Sequence, residues 1–181
     1  LTSASLTVKF LKSGNYSVTL TEANGCNSTP MVKTICVDTI PNSNFSINPS
    51  FGCEPLTVSA TNLSTAPNTC GDLVYTWSVV FNGSGTCTPS AGGWAFSGGT
   101  NLHSQNAAFL FNDPGTYTIT LAVANSCSTA TSTKTVTVKS PPVNKSFTFT
   151  PSAPYCVGQA ITPNAVFDNC YGTTAMTYSW S

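Results

Sequence analysis

Arginine is absent from the 181 residues, and only 7% of positions carry charge, six lysines balancing six acids. Without a basic patch or stripe there is no electrostatic footprint for DNA, RNA or anionic lipid, which excludes a nucleic-acid function. Long apolar runs are also missing. No stretch reaches the roughly 18 residues of a membrane-spanning helix, and Leu1 to Leu11 lacks the basic start and continuous apolar core of a signal peptide. Direct membrane insertion is therefore not expected, and any export signal or anchor is expected outside the sequence. Histidine occurs once. His103 sits among Asn101, Ser104 and Gln105, away from any cysteine or acid, and reads as a solvated loop residue. The acids Glu22, Asp38, Glu54, Asp72, Asp113 and Asp168 are scattered singly, which disfavours the paired carboxylates of a glycoside hydrolase. No Gly-x-Ser-x-Gly nucleophile elbow occurs either. The expectation is a non-enzymatic chain with no catalytic residue, no metal and no cofactor.

Cysteine, by contrast, is abundant. There are eight, none in a Cys-x-x-Cys pair, and the single histidine leaves little for a zinc site, so they read as disulfides formed in an oxidising, extracellular setting. Hydrophobic residues make up 40% of the chain, and they alternate with polar ones instead of clustering. Leu6 to Phe10, Tyr16 to Leu20, Leu56 to Val58, Val74 to Trp77, Tyr117 to Val123 and Val136 to Val138 all show period two and are rich in Thr, Val, Tyr and Phe. Turn clusters separate them, among them Asn82-Gly83-Ser84-Gly85 and Asn112-Asp113-Pro114-Gly115. The class is all-β, and about seven strands in roughly 100 residues is the spacing of a sandwich.

The chain is also internally repeated. Gly14-Asn15-Tyr16-Ser17-Val18-Thr19-Leu20 returns 101 positions later as Gly115-Thr116-Tyr117-Thr118-Ile119-Thr120-Leu121, and Ala23-Asn24 with Cys26 returns as Ala124-Asn125 with Cys127. Pro49-Ser50 and Cys53 recur as Pro151-Ser152 and Cys156, at offsets of 102 and 103, and Tyr75-Thr76-Trp77-Ser78 recurs as Tyr178-Ser179-Trp180-Ser181. A period near 100 residues divides the sequence into residues 1–40, the last part of one unit; 41–140, a complete unit; and 141–181, the first part of another. Pieces of about 40 residues cannot bury a core alone, so they are expected to be ordered by the rest of the chain or by other molecules. The joints at Ile40-Pro41-Asn42-Ser43 and Ser140-Pro141-Pro142 are short and proline-restricted, which favours a semi-rigid rod.

Asp113-Pro114-Gly115-Thr116-Tyr117 resembles a tyrosine corner, and Trp77 occupies the place of the strand C core tryptophan of an immunoglobulin-like domain. With Pro41, Asn44-Phe45-Ser46, Gly52-Cys53-Glu54-Pro55-Leu56-Thr57-Val58 and Tyr75-Thr76-Trp77-Ser78-Val79, the sequence resembles the PKD-like domains strung along large bacterial surface adhesins exported by type IX secretion. It departs from the better-known PKD pattern after Trp77. Ser78-Val79-Val80-Phe81-Asn82-Gly83 stands where that pattern has Asp-Phe-Gly-Asp-Gly, so the calcium binding described for some PKD modules does not carry over. The resemblance implies tandem immunoglobulin-like sandwiches with a spacer or adhesive role outside the cell. Expected partners are the neighbouring repeat domains, with surface glycans or other copies of a filament as further candidates. The alternative is an accessory module of an extracellular polysaccharide hydrolase or protease.

Within residues 41–140, Cys53, Cys70, Cys87 and Cys127 allow three pairings. In such a sandwich the B–C and F–G turns lie at the end where the chain enters, and the A–B turn and the turn after strand C lie at the other. The ends stand about 25–30 Å apart at ~3.3 Å per residue, against the roughly 7 Å between Cα atoms that a disulfide tolerates. Cys70–Cys127 and Cys53–Cys87 are therefore the favoured pairs. Cys26, Cys156 and Cys170 occupy corresponding sites in the partial units. Cys36 has no counterpart, Thr137 standing in its place, and pairs either with Cys26 or with a neighbour. Two further sites complete the reading. Asp38-Thr39-Ile40 resembles a bacterial O-glycosylation motif in an exposed linker, making Thr39 the candidate acceptor. Trp94, alternating with Phe96, is expected in the core and not on a carbohydrate-stacking platform.

Overall fold

The computed structural model describes residues 5–22, 25–26, 28–67, 70–83, 91–141, 143–168 and 179. Every regular element among them is a β-strand, and no helix is long and apolar enough to cross a membrane. Strands β1 (Gly14–Leu20) and β2 (Met31–Val37) form a two-stranded antiparallel sheet. Then come β3 (Phe45–Asn48), β4 (Phe51–Cys53), β5 (Leu56–Asn62), β6 (Val74–Phe81), β7 (Trp94–Phe96), β8 (Ala107–Phe111), β9 (Gly115–Ala124) and β10 (Thr129–Lys139). These eight make two four-stranded sheets, in the orders β4-β10-β9-β6 and β3-β5-β8-β7. A second two-stranded sheet pairs β11 (Val143–Thr150) with β12 (Thr162–Asp168).

Alternation dictates which faces meet. In β9 every second residue from Gly115 to Val123 is buried, and β5 and β8 show the same period. Both sheets thus contribute a full apolar face to one core of Phe45, Val58, Trp77, Phe109, Phe111, Tyr117, Ile119, Leu121, Val123, Val136 and Val138. Trp77 is the pivot. It lies opposite Leu121 in the β6–β9 register and meets Phe45 and Phe109 of the other sheet edge-on, at centroid distances of 5.0 and 6.0 Å. Its indole N–H donates to the Ser104 carbonyl at 2.8 Å, so the one polar atom of the ring is buried with a partner. This is the immunoglobulin-like arrangement, β3, β5, β6, β8, β9 and β10 standing as strands A, B, C, E, F and G and β7 as a short strand D. Strand β4 breaks away from β3 to pair in parallel with β10.

The tyrosine corner is present as expected. The Tyr117 hydroxyl donates to the Asp113 carbonyl at 2.7 Å. Gly115, at φ +155°, opens the strand where any Cβ would run into the Phe81 ring and approach the Gly83 carbonyl oxygen to 3.0 Å. Asp113 holds the turn from the other side, its carboxylate accepting from the Gly93 N–H at 2.7 Å.

The outer hairpins pair in the same registers as strands of the sandwich. Gly14↔Val37 and Tyr16↔Ile35 in β1–β2 correspond to Gly115↔Val138 and Tyr117↔Val136 in β9–β10, each residue shifted by 101. Tyr16 even repeats the corner, donating to the Lys12 carbonyl at 2.7 Å. Phe147↔Ala165 in β11–β12 corresponds to Phe45↔Asn62 in β3–β5, shifted by 102 and 103. What differs is burial. Ile119 and Leu121 are fully buried, whereas Val18 and Leu20 are 40% and 52% exposed, and Phe147 is 55% exposed against 1% for Phe45. Leu6 to Phe10 alternates as expected but joins no ladder among the described residues. The matching strand β8 is held by β5 and β7 on either side, and a strand without such neighbours has no partners for its backbone groups.

Candidate functional site

The richest concentration of polar chemistry lies where the chain passes from β2 into the sandwich. Pro41 is buried and fixes the direction of entry. Asn42 exchanges two backbone hydrogen bonds with Thr65. The half-buried Ser43 hydroxyl donates to the Leu121 carbonyl at 2.9 Å and shares a 2.8 Å hydrogen bond with the Ser132 hydroxyl. The linker is thereby sewn to β9 and β10 before β3 begins.

Asp38 does more. One carboxylate oxygen accepts from the backbone N–H of Cys70 in the B–C loop, and the other accepts from the Ser126 hydroxyl in the F–G turn. The neighbouring Thr39 carbonyl accepts from the Asn125 amide at 2.6 Å. Asn125 can offer that amide because its carbonyl oxygen is already committed to the N–H groups of Cys127 and Ser128, at 3.0 and 3.2 Å, which fixes the F–G turn. Asp38, Cys70, Asp72, Val74, Asn125 and Ser126 together line a cleft of about 300 Å³.

A disulfide closes this joint. Cys36, on β2, is bonded to Cys70 with their Cα atoms 5.6 Å apart, across 34 positions of sequence. The bond joins the upstream hairpin to the B–C loop of the sandwich. It also replaces the expected Cys70–Cys127 pair: Cys127 is an exposed free thiol. The B–C and F–G loops do lie together at the entry end, where Asp38 bridges them. The pairing differs because β2, outside residues 41–140, delivers Cys36 to the same end. Cys36 has no counterpart 101 positions later, where Thr137 stands, so self-comparison of the sequence offers it no partner.

At the opposite end Cys53 closes β4, its backbone opposite Lys139 in the register, and is exposed with a free thiol. Its expected partner Cys87 lies outside the described residues, as does Cys170. The exit is fastened by Glu54, whose N–H donates to the Lys139 carbonyl at 2.9 Å and whose carboxylate accepts from the Ser140 hydroxyl at 2.8 Å.

The Cys36, Asp38 and Cys70 ligand atoms lie within 4.8 Å of one another. Sulfurs joined to each other are not thiolates, so this cluster does not offer a metal-ligand set. His103 is exposed, with Nδ1 2.8 Å from the Tyr75 carbonyl oxygen, and the described residues place no acid or thiol against it. Trp94 is half-buried and packs on Phe96 and Phe109 at 5.4 and 6.1 Å, a member of the core margin. Thr39 is half-buried beside the clamp.

Residues 55–140 match the family model for the PKD domain. No curated protein and no solved structure matches the chain. The matched region begins one residue before β5 and ends one residue after β10, so it contains the tryptophan, the tyrosine corner and both loops that face Asp38. A PKD match points to an immunoglobulin-like structural or binding module. Such modules are generally non-catalytic and typically extracellular, and the disulfide is consistent with that setting.

Proposed function

We propose that the chain is a structural segment of tandem PKD-like domains, serving as a spacer in the stalk or filament of a large secreted surface adhesin of the kind exported by type IX secretion. The observation that carries this reading is the clamp. Cys36–Cys70, Asp38 and Asn125 spend one disulfide and three hydrogen bonds on holding a hairpin to the next sandwich, and a joint so fastened transmits direction and tension. Two further observations support it. The registers of β1–β2 match those of β9–β10 and the registers of β11–β12 match those of β3–β5, as successive copies of one unit would. Apolar faces exposed on the hairpins are the ones the sandwich buries, so each hairpin is shaped to be part of a larger sandwich. Thr39 is proposed as the point of O-glycosylation, with intact mass as its check.

Pulling the chain between its termini in a force spectrometer tests the spacer reading. The clamp hides 34 residues from the applied force, about 120 Å of contour at ~3.5 Å per residue. Unfolding the oxidised chain should release that much less length than unfolding the reduced one. A chain that extends at negligible force in both states, or an isolated sandwich that binds on a glycan array, would count against a spacer and favour the accessory-module reading.

A further inference from the structure

Three cysteines converge on the entry end, and the structure bonds two of them. Cys70 is joined to Cys36, while Cys127, exposed and with a free thiol, follows directly on Ser126. Ser126 and the Cys70 N–H are the two partners of a single carboxylate, that of Asp38. The F–G turn that bears Cys127 is therefore held against the loop that bears Cys70. Disulfide and thiol thus stand on two loops fastened to one carboxylate.

We propose that Cys127 is a resolving thiol that converts the clamp between units into a staple within the sandwich. The Cys127 thiolate attacks Sγ of Cys70; a new Cys70–Cys127 bond forms, the Cys36–Cys70 bond breaks, and Cys36 leaves as a thiolate that takes up a proton. One disulfide and one thiol enter and one of each leaves, so no oxidant or reductant is consumed. In the first state β2 is tethered to the B–C loop. In the second, B–C and F–G are tied together and β2 is held by the linker's hydrogen bonds, those of Asp38, Thr39, Asn42 and Ser43. The joint thus has a locked and a released form of equal oxidation level. This inference rests on the geometry of the joint alone, whatever the protein carries at its ends.

Peptide mapping tests it directly. Cleavage before Asp38, Asp72 and Asp113 and after Lys33 and Lys134 puts Cys36, Cys70, Cys87 and Cys127 on separate peptides; Cys53 shares the peptide of Cys70, and fragmentation of the linked peptides between the two shows which of them is bonded. The whole chain is equilibrated in a glutathione redox buffer, quenched by alkylation in acid and digested without reduction. Wild type should yield both the Cys36–Cys70 and the Cys70–Cys127 linked peptides, Cys127→Ser only the former, and Cys36→Ser only the latter. Cys36 is exposed, so its replacement leaves the core intact. Recovery of Cys36–Cys70 alone from wild type would overturn the proposal. So would Cys36–Cys127 in place of Cys70–Cys127, or alkylation of both Cys70 and Cys127 in Cys36→Ser.

Discussion

Tyr117 and Tyr16 make the same hydrogen bond, each hydroxyl donating 2.7 Å to the carbonyl four residues earlier, yet their surroundings differ. Tyr117 is fully buried, with its ring between those of Phe81 and Phe111 at 5.1 and 4.5 Å. Tyr16 is half-buried beside Phe10 at 4.6 Å. Removing the hydroxyl of Tyr117 leaves a part-buried carbonyl without that donor, which typically costs about 1–2 kcal/mol. Tyr117→Phe should lower the urea midpoint of the sandwich accordingly, and Tyr16→Phe should leave it in place; equal shifts would mean the two corners are energetically alike. Both tyrosines were legible in sequence, because Asp-Pro-Gly-Thr-Tyr encodes the turn and the strand start together. Trp77 was legible for a similar reason, as an aromatic within an alternating run. The role of Asp38 was not, since a lone acid in a linker announces no partner, and its partners stand 32 and 88 positions away.

Among the elements, β5, β6 and β9 could be read from period two alone because each has one face in the core. The first half of β10 could not. Thr129 to Thr135 is almost wholly Ser and Thr with no fully buried residue, so it offers no apolar signal and owes its strand to pairing with β9 along its length. The short β4 is likewise a product of its parallel neighbour β10. Leu6 to Phe10 makes the converse case, a good pattern without a ladder, and together they say that edges and partners decide what alternation merely permits. The start of β9 is more demanding. At Gly115 the positive φ and the Phe81 ring act together, so Gly115→Ala should destabilise the sandwich by roughly 2 kcal/mol or more. Gly71 has open space around the position a Cβ would take and no left-handed backbone; Gly71→Ala should stay within about 0.5 kcal/mol of wild type. Thermal or urea denaturation of the two variants checks the contrast, and similar losses would remove Gly115 from its special place.

At the scale of the whole molecule the recurring segments were legible in the sequence and the Cys36–Cys70 bond was not, because matching a sequence to itself finds what recurs and Cys36 does not recur. Its bond nevertheless sets how the parts share stability. Buried apolar contact is concentrated in the sandwich, while β1–β2 and β11–β12 are two-stranded sheets, a form marginally stable by itself in water. Local opening should follow that division. In native-state hydrogen exchange, amides of β9 from Ile119 to Val123 should be the slowest, those of β1 and β11 the fastest. Amides of β2 near Cys36 should fall between, slowed by the tether to Cys70. Reducing the disulfide should raise exchange along Thr34 to Val37 and through the linker to Ile40, with no comparable change in β9, since the core of the sandwich makes no use of that bond. Uniform acceleration across β2 and β9 would mean that the disulfide supports the sandwich itself, and that the clamp is part of the domain's fold instead of a joint between two bodies.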